Sequence, residues 1–300
     1  MAIRIGTSGW HYPAGTGTWN GVFYPKTRPR GFDELAYYAR FFDFVEINAT
    51  FYGQPRAEVA ASWAARTPPD FEFAVKLYQQ FTHPRMFRER VERTLTAELG
   101  TTDLPRSVVD ALVEANQADL DEFKRGIEPL ANAGKLGPLL AQFPASFHND
   151  AAARAHLRAL LSAFDGYTVC VELRHRSWND ERIEALLTAF HAVWVDIDEP
   201  KFRDSIQPRR APAPADVVYL RLHGRNARNW WQHANRDDRY DYSYTDEELE
   251  PFARTLVHSK RRAYAALNNH PKAQSVANAL TLKKMVGAET PVVPSTTAVD

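Results

Sequence analysis

The chain reads as an α/β protein folded as a (β/α)8 TIM barrel, with an extra helical insertion between the third and fourth strands. Three observations lead there. Short apolar runs alternate with helical patterns over nearly all of the 300 residues, the runs number eight, and the stretches between them are long enough for parallel crossovers. An open doubly wound sheet would follow its first strand with a Gly-rich phosphate loop that opens a helix. Here Gly6-Thr7-Ser8-Gly9 runs into Trp10 with no helix start.

The first strand is expected over Ile3 to Thr7, leading into a loop rich in Gly and Trp. A helix over Phe32 to Phe42 precedes a strand over Val45 to Asn48. A second helix, Ala57 to Arg66, stops at Thr67-Pro68-Pro69 before a strand over Phe71 to Leu77. Residues 85–135 space Val91, Leu95, Leu99, Val109, Leu112 and Val113 at helical intervals on either side of Pro105. That is more than a crossover needs, so an extra helical pair should cover one side of the barrel. Strands then follow at Leu139 to Phe143, Thr168 to Arg174, Val193 to Asp198, Val217 to His223 and Ala263 to Leu267. Helices are expected at Ala152 to Ala163, Ile183 to His191, Asp246 to Arg261 and Ser275 to Val286, and a Pro- and Arg-rich loop precedes the seventh strand. The whole chain, 1–300, reads as one barrel domain, and the tail over about 290–300, rich in Pro, Ser and Thr, as a loosely ordered end.

Bulk properties narrow the function. Lys plus Arg and Asp plus Glu number 37 each, so no global basic field drives nucleic-acid binding, and a nucleic-acid partner would need a local patch. The single Cys170 excludes an intramolecular disulfide and a cysteine-clustered zinc site, and fits a reducing cytoplasm. No apolar stretch approaches the roughly 18 residues of a spanning helix, and no apolar leader follows Arg4, so no membrane association or targeting is expected.

Six of the strands carry polar groups on one alternating face near their C-terminal ends. Parallel sheets bury both faces, so such groups need partners or a purpose. Active sites of TIM barrels lie where these strand ends converge. Glu46, Asn48, Lys76, Gln142, Glu172, Arg174, Asp196, Asp198, Arg221 and His223 would share one cavity, joined by Asn268 or Asn269. The set should be mutually paired, because unpaired buried charges cost several kcal/mol each. A structural ion-pair plug accounts for any single one of them; the number in one layer points to a site for a small-molecule substrate.

In a first reading, Arg174, Arg221 and Lys76 bind an anionic or polyhydroxylated molecule, Glu46 and Glu172 move protons, His223 with Asn269 orients, and Asn48, Gln142 and Asn268 add binding contacts. Lys76 would also form a Schiff base if its neighbours lowered its pKa. In a second, Glu46, Glu172, Asp198 and His223 gather a divalent metal for an isomerase or a phosphodiester hydrolase, with three cations competing against it; in a third, the cations and aromatic residues serve a non-catalytic binder of nucleic acid or of a metabolite. Trp10, Phe51, Tyr52 and Trp178 follow strands and would line the pocket, with His83 within reach of the mouth and His175 starting a loop. The loop from Gly224 through Trp230-Trp231 to Tyr242 suits a lid or a base-stacking surface, although Asp237, Asp238 and Asp241 weaken the nucleic-acid version.

The motifs Ile5-Gly6-Thr7-Ser8-Gly9-Trp10, Val45-Glu46-Ile47-Asn48-Ala49-Thr50-Phe51-Tyr52, Phe73-Ala74-Val75-Lys76, Ala141-Gln142-Phe143-Pro144, Glu172-Leu173-Arg174-His175 and Tyr219-Leu220-Arg221-Leu222-His223-Gly224 resemble the YecE-like family, a widespread domain of unknown function. The resemblance spans roughly Ile3 to Val286 and implies a TIM barrel. It brings likenesses of fold to sugar isomerases and abasic-site endonucleases, and fold alone does not set function. The chain departs from the family pattern at Arg176, where Pro is usual, and at Leu267 before Asn268-Asn269, where an aromatic residue is usual.

Overall fold

Among the residues that the computed structural model describes, 2–15, 17–207, 216–259 and 261–288, eight parallel strands close into a barrel in chain order. They are β1 (Ile3–Ser8), β2 (Phe44–Ile47), β3 (Glu72–Lys76), β4 (Leu136–Gln142), β5 (Val169–Glu172), β6 (Val193–Asp198), β7 (Val217–Leu222) and β8 (Arg262–Leu267). The expected loose tail and most of the Pro- and Arg-rich loop before β7 lie outside the described residues.

The helices are α1 (Glu34–Tyr38), α2 (Ala49–Tyr52), α3 (Ala57–Ala65), α4 (Gln79–Thr82), α5 (Pro84–Leu99), α6 (Arg106–Val113), α7 (Gln117–Asn132), α8 (Ala151–Ala163), α9 (Glu181–Ala189), α10 (Asp246–His258) and α11 (Gln274–Met285). Local chemistry sets several of their ends. Capping boxes pair Asn116 with Asp119 at α7 and Thr245 with Glu248 at α10, so that each satisfies orphan amides of the first turn. Pro84 opens α5 and Gly100 closes it in the left-handed conformation. The helix expected over Phe32 to Phe42 is shorter. After Tyr38 the amides of Arg40 and Phe41 bond three residues back, and the tightened turn buries Phe41 and Phe42.

Between β3 and β4, α7 lies along α3 as a crossover helix would, and α5 with α6 forms the extra pair. Among the described residues, no helix is long and apolar enough to cross a membrane.

The strand registers sort side chains into an inner and an outer set. Outward, Val45, Ile47, Val75, Leu139, Ala141, Val171 and Leu173 pack under the helices. Inward, Arg4, Glu72, Arg262 and Tyr264 form a polar floor at the N-terminal end, with Arg4 Nε 2.9 Å from Glu72 Oε1 and Tyr264 donating to Glu72 Oε2 at 2.6 Å. Above them Phe44, Ala74, Leu140, Cys170, Val193, Val195 and Tyr219 fill the middle. The next layer toward the C-terminal face is charged.

β1 and β2 pair only at Thr7 with Val45 and Ser8 with Glu46. Below that point the Tyr38 hydroxyl bridges the splayed strands, accepting from the Thr7 amide at 2.9 Å and donating to the Phe44 carbonyl at 3.1 Å. Gly6 leaves room for this bridge: a Cβ there would lie 2.1 Å from the Phe44 oxygen and 2.9 Å from the Tyr38 hydroxyl. Gly6→Ala is therefore expected to cost about 1–3 kcal/mol of unfolding free energy through overpacking. Gly53→Ala, where an added Cβ meets nothing within 4 Å, should stay within about 0.5 kcal/mol of the parent. Urea unfolding of the two variants checks the pair, and equal losses would show that the close approach at Gly6 is not the cause.

Candidate functional site

The charged layer is organised around Arg221, which projects inward from β7 and is almost wholly buried. Its Nε and Nη2 fork onto Glu46 of β2 at 2.9 and 2.6 Å, and its Nη1 contacts Glu172 of β5. Glu46 also accepts from Ser8 at 2.7 Å and from Tyr219 at 2.8 Å. Burial alone would raise the Glu46 carboxyl, but the Arg221 charge and these donors outweigh it and lower the pKa. Glu172, equally buried, is held well below the usual carboxylate range, because Arg221 and Arg174 together outweigh its desolvation. Both acids are thus fixed as acceptors and hold no proton to give at neutral pH.

Arg174 follows β5 and closes the cluster from above. Its Nε reaches Glu172 Oε1 at 2.8 Å, its Nη2 lies 3.1 Å from His223 Nε2, and its Nη1 lies 3.1 Å from Glu199 Oε2. An arginine N–H only donates, so His223 Nε2 accepts and the imidazole proton sits on Nδ1. The Asn268 side-chain amide meets the ring at Nδ1, its Nδ2 being 2.9 Å away, and a half-turn of the amide brings its oxygen there to accept from Nδ1. His223 is fully buried, and burial together with the Arg174 charge pushes its pKa down to about 3. It is a neutral strut behind the arginines.

Above this layer opens a cavity of about 1080 Å³. Lys76, Arg174 and Arg221 reach its floor, with Asn48, Gln142 and Asn268 beside them. Aromatic rings make the walls: Trp10 and Tyr12 after β1, Phe51 and Tyr52 of α2, Trp63 of α3, Phe202 after β6, and Trp230, Trp231 and Tyr240 from the loop after β7. His11, His83, His175 and His270 also face it, as do Arg203, Asp204, Asp237 and Arg239.

Lys76 ends β3 and sits 4.2 Å from the centre of the Phe51 ring. Among the described residues no carboxylate lies within 4.0 Å of its ammonium, because Glu46 and Glu172 are taken up by the guanidiniums. Burial, then the charge of Arg221, lowers its pKa to about 7, with Arg174 adding to the effect. Glu199, just past β6 and nearly buried, shows the opposite displacement. Burial raises its carboxyl against the pull of Arg174, whose Nη1 is the ion-pair partner of its Oε2.

Several sequence expectations need correction. Asp196 and Asp198 do not face the cavity, because the register sets Ile197 beside Arg221 and Asp198 beside the outward Leu222. Asp198 instead accepts from Arg225 at 2.8 and 3.1 Å and from Tyr244 at 2.7 Å. It is therefore separated from Glu46, Glu172 and His223, and among the described residues no three His, Cys, Asp or Glu side chains could hold a metal ion. Asn269 turns away to donate to the Tyr242 carbonyl and to Asn278, each at 2.8 Å, tying the loop after β7 to α11. Trp178 is buried and donates to the Phe147 carbonyl, stacking on that ring outside the cavity. Glu199 is the residue that sequence reasoning passed over. The alternation of Val193, Val195 and Ile197 points to it, since it is next on the same face.

A family model described as "Protein of unknown function DUF72" matches residues 4–299. UPF0759 protein YunF of Bacillus subtilis (strain 168) is 26% identical over 299 residues, covering 96% of this chain and 95% of that protein. UPF0759 protein YecE of Escherichia coli (strain K12) is 37% identical over 65 residues, 22% of this chain and 24% of that protein. Among solved structures, a DUF72 family protein from Thermotoga maritima MSB8 superposes with a TM-score of 0.76 at 32% identity, covering 96% of this chain and all of that one. Another, from Enterococcus faecalis V583, gives 0.76 at 20% identity over 97% of this chain and 98% of that one, a likeness of fold.

The charged layer makes its own prediction. In the parent, the folded-state pKa values of Glu46 and Glu172 lie below their unfolded values. The stability they contribute is therefore present above about pH 4.3 and lost as pH falls through the folded values. Arg221→Met leaves Glu46 buried without its cation and should cost about 3–5 kcal/mol at pH 7. With the Glu46 pKa now raised, protonation stabilises the variant, so its stability should climb as pH drops from 7 to 5 while the parent changes little. Denaturant unfolding at the two pH values checks this, and a loss independent of pH would show that Glu46 is not the group left stranded.

Proposed function

This chain belongs to the DUF72 family of proteins of unknown function, and from that premise and the cavity's geometry we propose that it is an enzyme acting on a small anionic substrate by acid–base chemistry at the C-terminal face of the barrel. The observation that carries this reading is Lys76. It is an amine at the foot of a cavity, unpaired by any carboxylate within ion-pair reach among the described residues, with a pKa of about 7. A group balanced near neutral pH serves as both proton acceptor and proton donor.

The division of labour follows from the surroundings. Arg174, partly exposed to the cavity, offers its guanidinium to the substrate anion while Glu172 and Glu199 hold its orientation. Lys76, balanced near neutral pH, takes up the proton and returns it. Glu46, Glu172 and Arg221 then act as the fixed charges that tune Lys76, rather than as proton carriers. The aromatic walls exclude water and limit the size of what enters. Divalent-metal chemistry at Glu46, Glu172, Asp198 and His223 draws no support, since Asp198 is on the other face of β6.

The test uses anions that do not titrate between pH 6 and 8.5. Calorimetric titration with sulfate and glycolate should show one binding site, with glycerol giving none. Affinity should fall several-fold as pH rises through about 7, because Lys76 then loses its charge. Histidines also face the cavity, so the comparison with Lys76→Met isolates the lysine: that variant should bind more weakly at pH 6 and show a flatter profile. Absence of anion binding, or a pH profile unchanged in Lys76→Met, would sink the reading.

A further inference from the structure

We propose that Lys76 is a carbonyl-capturing residue, forming an imine with an aldehyde or ketone that carries a carboxylate held by Arg174. This rests on the anion-binding reading above and goes further by naming the substrate's reactive group.

Four features of the floor combine to support it. An imine-forming lysine must present a free amine, and the acids that would otherwise hold an ammonium at this depth are engaged elsewhere: Glu46 by Arg221, Ser8 and Tyr219, and Glu172 by both arginines. Two neighbouring cations disfavour a third charge, the condition under which lysines become nucleophiles near neutral pH. The centre of the Phe51 ring lies 4.2 Å from Nζ, and both residues line the cavity. Arg174 shares that cavity and supplies a positive charge for a carboxylate adjoining the carbonyl.

In the step itself, the Nζ lone pair adds to the carbonyl carbon and the C=O π pair moves to oxygen. A proton passes from nitrogen to that oxygen and gives a carbinolamine. The hydroxyl leaves as water after taking a second proton from solvent, and the nitrogen lone pair closes the C=N bond to an iminium. Hydrolysis reverses each transfer, so no oxidant or reductant is consumed.

The experiment incubates the full-length protein at pH 7 with glyoxylate, which has both the carbonyl and the carboxylate, in the presence of sodium cyanoborohydride. The reductant converts any iminium to a stable carboxymethyl amine that peptide mass spectrometry locates. At pH 7 an amine with a pKa near 7 is about 1,000-fold richer in its free form than an ordinary lysine, so Lys76 should be labelled roughly a hundredfold faster than Lys124 or Lys272, allowing for its weaker intrinsic nucleophilicity. Labelling should saturate with glyoxylate and be suppressed by glycolate, which has the anion and lacks the carbonyl. Lys76→Arg keeps a cation in place and should bind glycolate while losing the fast label. Should glycolate bind while Lys76 is labelled no faster than the other lysines, the imine is overturned and the anion site stands. Should neither molecule bind and no lysine be favoured, both readings fail together.

Discussion

Arg221 is the constraint on which the upper half of this barrel depends. A TIM barrel is ordinarily filled by layers of branched apolar side chains. Here the layer nearest the C-terminal face holds a guanidinium gripped by Glu46 and Glu172 from β2 and β5, across the barrel interior. Desolvating such a group is repaid only when nearly all of its donors are used, and Nε, Nη1 and Nη2 of Arg221 each find a carboxylate oxygen. The same contacts draw strands from opposite sides of the barrel to a shared geometry. Arg174, His223 and Asn268 are positioned from it by direct hydrogen bonds.

The electrostatic balance explains the state of Lys76. Glu46, Glu172 and Glu199 match the charges of Arg174, Arg221 and Lys76 in number, yet the arginines occupy the acids geometrically. Arginine wins that competition because its planar fork meets carboxylates bidentately and its pKa leaves it charged. The lysine next to them is left with the Phe51 ring and the field of two cations. The amine is thereby left near its titration point at the base of a large cavity.

Membership of the family contributes fold and extent, since its relatives span nearly the whole chain, while the chemistry has to be read from side chains. The rim is mixed in sign, with Arg203 and Arg239 set among Asp204 and Asp237, and the walls are aromatic. Among the described residues such a mouth gives no broad basic track for a polyanion, and the floor beneath it is cationic.

How far the sequence alone could go follows from the periodicities involved. A strand's period of two and the spacing of helices are local properties, so the eight strands, the helical pair between β3 and β4, and the inward placement of Glu46, Lys76, Gln142, Glu172 and Arg221 were all legible before any contact was known. The face of β6 was not. Val193, Val195 and Ile197 alternate with Trp194, Asp196 and Asp198, and charge invites the assumption that the aspartates face the site. Only pairing with β7, which seats Ile197 beside Arg221, decides otherwise and brings Glu199 to the cavity. Likewise, nothing local distinguishes Asn268, which reaches His223, from Asn269, which clamps α11. Which cation stays unpaired is a further question of this kind: composition supplies three candidates, and Lys76 is selected by distances between residues far apart in the chain, which a sequence does not contain.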